Sequence, residues 1–175
     1  MRRTCFIRVS RDQSGHALVE FSFVVLILAV LIFALIDFSR AISTRQVLTN
    51  LSREAANLAS RGTSLSNTLV AVKASAQPLD IDQKGYVILS VVHRDNASNA
   101  TVTVQLTGGG VPSASRVATA GVGRPPTLPP TPELLPQPNR TLYVAEVFYR
   151  FAPVTPVGQV LGLVLPTTQY DVAYF

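Results

Sequence analysis

From Ala17 to Ile36 every residue except Glu20 and Ser22 is apolar. As a helix, such a run is about 30 Å long, enough to cross the hydrocarbon core of a bilayer. Beyond Ile36 the pattern loosens, but neither Gly nor Pro interrupts it before Gly62. Ala41, Leu48, Leu51, Ala55 and Leu58 recur at three- and four-residue steps, the mark of one apolar helix face. Arg40, Arg45, Arg53 and Asn57 fall elsewhere. One helix is therefore expected from about Ala17 to Arg61, apolar all round in its first half and amphipathic in its second. Gly62 is its expected stop, with Arg61 placed where a cation complements the helix dipole.

The period then changes. Ser64 to Ala76 reads as a short second helix with Leu65, Leu69 and Val72 on one side, ended by Pro78. Tyr86–His93 and Thr101–Thr107 are rich in β-branched residues and read as strands. Asp95, Asn96, Ser98 and Asn99 supply turn chemistry between them, so a hairpin is expected. Leu142–Phe151 is a third strand and Thr168–Tyr174 a fourth. On the third, Glu146 and Arg150 share a face, read as the wet one although Phe148 lies between them. Val157 to Leu165 is apolar and fits helix, strand or a membrane-apposed segment. Gly108 to Pro138 opens on three glycines and ends in seven prolines. Such a composition favours solvated, extended backbone, and it is read as a surface loop without a core. The elements predict an α+β protein with a long amino-terminal membrane-spanning helix and a small antiparallel sheet head. Three parts follow: a basic leader over 1–15, the helix over 16–62 (span 17–36, amphipathic continuation 37–62), and the head over 63–175 with its Gly/Pro-rich loop at 108–138.

Charge refines this picture. Only 14% of the 175 residues are charged and 47% are apolar, as suits a tethered protein. The net charge of +5 owes much to Arg2, Arg3, Arg8 and Arg11, and no other dense basic cluster follows. A nucleic-acid footprint is therefore not expected. Arginine excess ahead of the span favours a cytoplasmic leader and an extracytoplasmic head. The sole cysteine, Cys5, lies in the leader, so no intramolecular disulfide can form.

A carboxylate inside an apolar span is costly and marks function. Glu20 is such a carboxylate, and Gly15 stands five residues before it. The run Gly15-His16-Ala17-Leu18-Val19-Glu20-Phe21, behind a basic leader and ahead of an apolar helix, resembles the processing site of type IV pilins. It is most similar to TadE-like pseudopilins of Tad (Flp-type) pilus systems. Val144 to Val154 resembles the carboxy-terminal motif of the same family. The resemblance implies a pilin-like fold and cleavage between Gly15 and His16 by a membrane prepilin peptidase. It implies a register role for Glu20 during assembly. Phe21 stands where the major pilins of this system more often have tyrosine, which favours a minor pseudopilin. The implied partners are the cytoplasmic membrane, that peptidase, and other pilins, pseudopilins and Tad assembly proteins. The implied location is a bacterial cytoplasmic membrane crossed once, or the pilus itself.

Catalytic chemistry is sparse. His16 and His93 are the only histidines. No metal set suggests itself, and Asp80 with Asp82 offers too few oxygens for calcium. Gly108–Gly110 and Gly121–Gly123 lack the Lys-Ser/Thr of a phosphate loop. Neither a cofactor nor an enzymatic activity is expected. Two other readings fit the same residues. One is an uncleaved single-span envelope protein whose head binds another protein. The other is a secreted protein cut after Ala41, where Ser39-Arg40-Ala41 has the small-residue spacing of a signal-peptidase site.

Overall fold

The computed structural model describes residues 14–95, 99–129, 137–160 and 166–175. The leader arginines and Cys5, the turn residues Asn96 and Ser98, Pro130, Pro132, Pro136, and Leu161 to Leu165 lie outside the described residues.

One helix, α1, runs from Ser14 to Ser60. Its 47 residues make a rod about 70 Å long. Gly62, at φ +87°, turns the chain after it. A residue with a Cβ would be strained there, so the glycine stop expected from sequence is met. The helix has two environments. Between Leu18 and Ile36 its large apolar side chains are exposed, Leu18 at 67% and Leu35 at 65%. From Asp37 onward one face is buried: Asp37, Ala41, Thr44, Leu48, Leu51, Ser52, Ala55, Ala56 and Ala59. Leu58 is only half-buried and Ala59 takes the inner position, so the seam drifts by one residue at its top.

That buried face lies against a four-stranded antiparallel sheet of order β2-β1-β3-β4. The strands are β1 (Gly85–Arg94), β2 (Ala100–Gly109), β3 (Arg140–Arg150) and β4 (Thr168–Tyr174). The hairpin and all four strands occur where the β-branched runs predict them. Alternation along each strand sorts the sheet into two faces. Val87, Leu89, Ala145, Val147 and Ala173 meet Leu48, Leu51, Ala55 and Ala56 of α1 in the main core. Burying each such leucine contributes about 2 kcal/mol. α2 (Leu65–Ser75) closes one side of this core through Val72, with Leu65 and Leu69 packed against it. Ser64 caps α2 by accepting the Asn67 N–H at 3.3 Å. A one-turn helix, α3 (Ile81–Lys84), is capped by Asp80. Asp82 pairs with Lys73 of α2. The Asp80/Asp82 pair is thus built into local structure, one as a helix cap and the other as an ion-pair partner. A last short helix, α4 (Pro156–Val160), packs on α1.

Two expectations are overturned on the far face of the sheet. Glu146 is fully buried, at 0% exposure, so it does not share a wet face with exposed Arg150. The Gly/Pro-rich stretch does build a core. Its residues Val117 and Ala118 are buried against Val92, Val102 and Val144, with Leu128 packed beside them. Glycines permit this close approach. Gly109 is left-handed at φ +135° and Gly110 lies so near the Asp82 carbonyl that a Cβ would overlap it. Farther along, Val102 N–H donates to Arg124 O at 3.0 Å and Gly123 N–H to Val102 O at 2.7 Å. The stretch therefore covers the otherwise open edge of β2, at the bulge between Val91 and Val92.

Candidate functional site

Gly15, His16, Glu20 and Phe21 lie together at the start of α1, within its first two turns. All four are exposed, Phe21 at 66%. A Cβ on Gly15 would meet nothing within 4 Å. His16 and Glu20, four residues apart, stand on the same side of the helix. Among the described residues no hydrogen bond or ion pair reaches the Glu20 carboxylate. Two residues on, the Ser22 hydroxyl donates to the Leu18 carbonyl at 2.8 Å, so it enters the apolar span already satisfied. Glu20 is the contrasting case, a polar group at the head of the span with no partner among the described residues.

The junction between span and head is built around Asp37, a residue whose role the sequence did not disclose. It is 1% exposed although it directly follows the apolar run. Thr155 Oγ1 donates to Asp37 Oδ2 at 2.5 Å, and Val154 N–H donates to Oδ1 at 2.9 Å. The Thr155 N–H adds a longer bond, and Arg40 stands 4.0 Å away, one turn on. Gly158 closes the cage, because a Cβ there would overlap the carboxylate. Its own N–H donates to Thr155 Oγ1 at 3.0 Å. The Thr155 hydroxyl bond, with the backbone donors behind it, holds the Asp37 carboxyl below the usual carboxylate range, against the opposing effect of burial. A carboxylate depressed in the folded state stabilises that state above its unfolded pKa and loses the contribution as pH falls through the folded value. The head should accordingly loosen from α1 as pH drops below about 4. In Asp37→Asn that pH step should vanish from a melting-temperature series, and a series unchanged from the parent would show that Asp37 does not hold the junction.

Higher on α1 the same interface carries further polar ties. Ser52 Oγ donates to Asp171 Oδ2 at 2.5 Å and Thr49 Oγ1 to Oδ1 at 3.2 Å. Gln169 Nε2 donates to the Ala41 carbonyl at 3.2 Å. Helix and sheet are thus fixed in register by directional bonds as well as by apolar contact.

On the opposite face Glu146 gathers the covering segment. The Ser115 hydroxyl donates to Glu146 Oε2 in a very short bond. Arg116 N–H donates to Oε1 at 2.8 Å and Tyr170 OH to the same oxygen at 3.0 Å. Tyr170 lies across from Phe148, ring centroids 4.8 Å apart, and the Arg116 guanidinium sits 4.1 Å from the Tyr170 ring centre. Burial first, and then the Glu146 charge beside it, push the Tyr170 phenol well up. Val144 and Phe148 flank Glu146 on the same strand face, and that apolar company was the sequence signal that the carboxylate is buried. His93 bonds Thr141 at 3.2 Å and lies 3.4 Å from Asp95, an ordinary strand-end arrangement.

A helix with a bare apolar first half, its second half laid on a four-stranded antiparallel sheet, defines a pilin-like α+β protein. Residues 15–57, the greater part of that helix but well under half of the chain, match the family model described as TadE-like protein. No curated protein and no solved structure matches it. The second resemblance, Val144 to Val154, lies outside the matched residues and takes in β3 from Val144 onward together with the backbone donor that holds Asp37.

Proposed function

We propose that this protein is a minor pseudopilin, a structural or priming subunit of Tad (Flp-type) pilus biogenesis. α1 anchors it in a bacterial cytoplasmic membrane, the sheet head stands outside, and a prepilin peptidase trims the leader between Gly15 and His16. The carrying observation is the open Glu20 carboxylate, one helical turn from the His16 backbone nitrogen. Before cleavage that nitrogen is a neutral amide. After cleavage it is a cationic amine, able to neutralise Glu20 within the chain or on a neighbouring subunit. Neutralisation offsets the desolvation that otherwise keeps a carboxylate out of hydrocarbon. The protein is then a substrate and a building block rather than a catalyst, in keeping with the structural roles typical of its family. Its working partners would be the peptidase, other pilins and Tad assembly proteins.

Intact mass and amino-terminal sequencing of the membrane-bound product test the reading. The mature chain should begin at His16. Gly15→Leu should block processing without disturbing the fold, since a side chain at Gly15 enters open space. A product beginning at Ile42 would establish a secreted protein instead, and one that keeps Met1 an uncleaved anchor.

A further inference from the structure

The span and the head meet at a fixed height. The unbroken apolar run of α1 ends at Ile36, and the first buried residue of the helix–head interface is Asp37. The part of the head that grips Asp37 is Val154, Thr155 and Gly158. α4 and the turn before it are therefore the underside of the head, level with the last turn of the span. A run of 20 apolar-helix residues is about as long as a hydrocarbon core is thick, so the bilayer surface must arrive at this same level.

That underside is chemically unlike the rest of the head. Phe151 to Val160 contains no charged residue. Val154 is 62% exposed and Val160 79%, the most exposed large apolar side chain among the described residues of the head. Phe38, 55% exposed, stands beside Asp37 on α1, just past the end of the apolar run. Just above it, Arg40 and Arg150 line a groove with Lys84 and Tyr149, and the Arg40 guanidinium lies 5.9 Å from the Phe151 ring centre. Apolar side chains at the level where hydrocarbon ends, with cations one turn higher, match the order of acyl chain and phosphate in a lipid leaflet.

We propose that the head is seated on the lipid surface, with Val154 and Val160 of the α4 underside in the interfacial layer and Arg40 and Arg150 at the level of the phosphates. The seat would limit the tilt of the head before the subunit is drawn into an assembly. This inference rests on the reading that α1 spans a membrane.

Site-directed spin labelling of the full-length chain, one copy per nanodisc, tests it. Cys5→Ser removes the native thiol, and single cysteines replace Val160, Ile27 and Val70. All three positions are exposed, so the fold tolerates the label. The Ile27 label reports the span and Val70, on α2, reports water. At Val160 the ratio of oxygen to nickel-chelate collisions should be several-fold above that at Val70 and below that at Ile27. A Val160 ratio equal to that of Val70, with Ile27 still in lipid, would overturn the seating and leave the anchor intact. A watery Ile27 would instead sink the spanning reading. Protection of Val160 only in assembled pili would assign the patch to a neighbouring subunit and overturn the lipid assignment.

Discussion

Glu20→Ala should leave the protein in the membrane and abolish pilus assembly. Removing a charge from an apolar helix eases insertion, by about 2.5–3.5 kcal/mol at the bilayer centre. Glu20 stands in the second turn of α1, so the gain is smaller there, and it has the sign opposite to a folding defect. The residue is exposed and far from the head, so neither the core nor the Asp37 cage depends on it. Processing should persist, because Gly15 and His16 are unchanged. On the proposed reading, what the variant loses is the partner for the amine that cleavage creates. Membrane fractionation paired with counts of surface pili, in a strain with only the mutant protein, measures both halves. Normal piliation would remove the assembly role. Loss of the protein from the membrane would move Glu20 to insertion or folding.

Glu146→Ala should unfold the outer layer of the head. The substitution strands the Ser115 hydroxyl, the Arg116 N–H and the Tyr170 hydroxyl at a fully buried site and leaves a cavity. Unpaired buried donors and lost charge-assisted bonds together cost about 3–5 kcal/mol. That is a large share of the stability of a small domain. Glu146→Gln keeps the volume and one acceptor, so its loss should be nearer 1–2 kcal/mol. The chain has no tryptophan and five tyrosines, so near-ultraviolet dichroism of the detergent-solubilised protein follows tyrosine packing in the head, that of Tyr170 included. A fall in melting temperature of roughly 10 °C or more is expected for the alanine variant. Equal melting of alanine, glutamine and parent proteins would mean that the Glu146 network does not hold the covering segment to the sheet.

The same two carboxylates show where local pattern informs and where it does not. Glu20 is conspicuous because its neighbours in the chain are its environment: a helix in lipid surrounds each side chain with hydrocarbon whatever the rest of the fold does. The sequence by itself therefore determined the long apolar helix, the glycine stop at Gly62, the four strands and the α+β class, since helix and strand periods are set by backbone geometry and side-chain branching. Asp37 is the converse, and so in part is Glu146, whose apolar neighbours Val144 and Phe148 signal burial but not the partners that permit it. Their burial depends on chain that arrives from 117 residues away in one case and about 30 in the other. Nothing in the few residues around Asp37 discloses that Val154 and Thr155 will bring donors to it. The Gly/Pro-rich stretch looked solvated because proline and glycine cannot form a ladder of their own. Only the tertiary structure decided that its described part lies back over the sheet, where Glu146, the open edge of β2 and an apolar face wanted cover. A polar group can be buried once enough donors converge on it, and convergence of distant chain is what tertiary structure alone can provide.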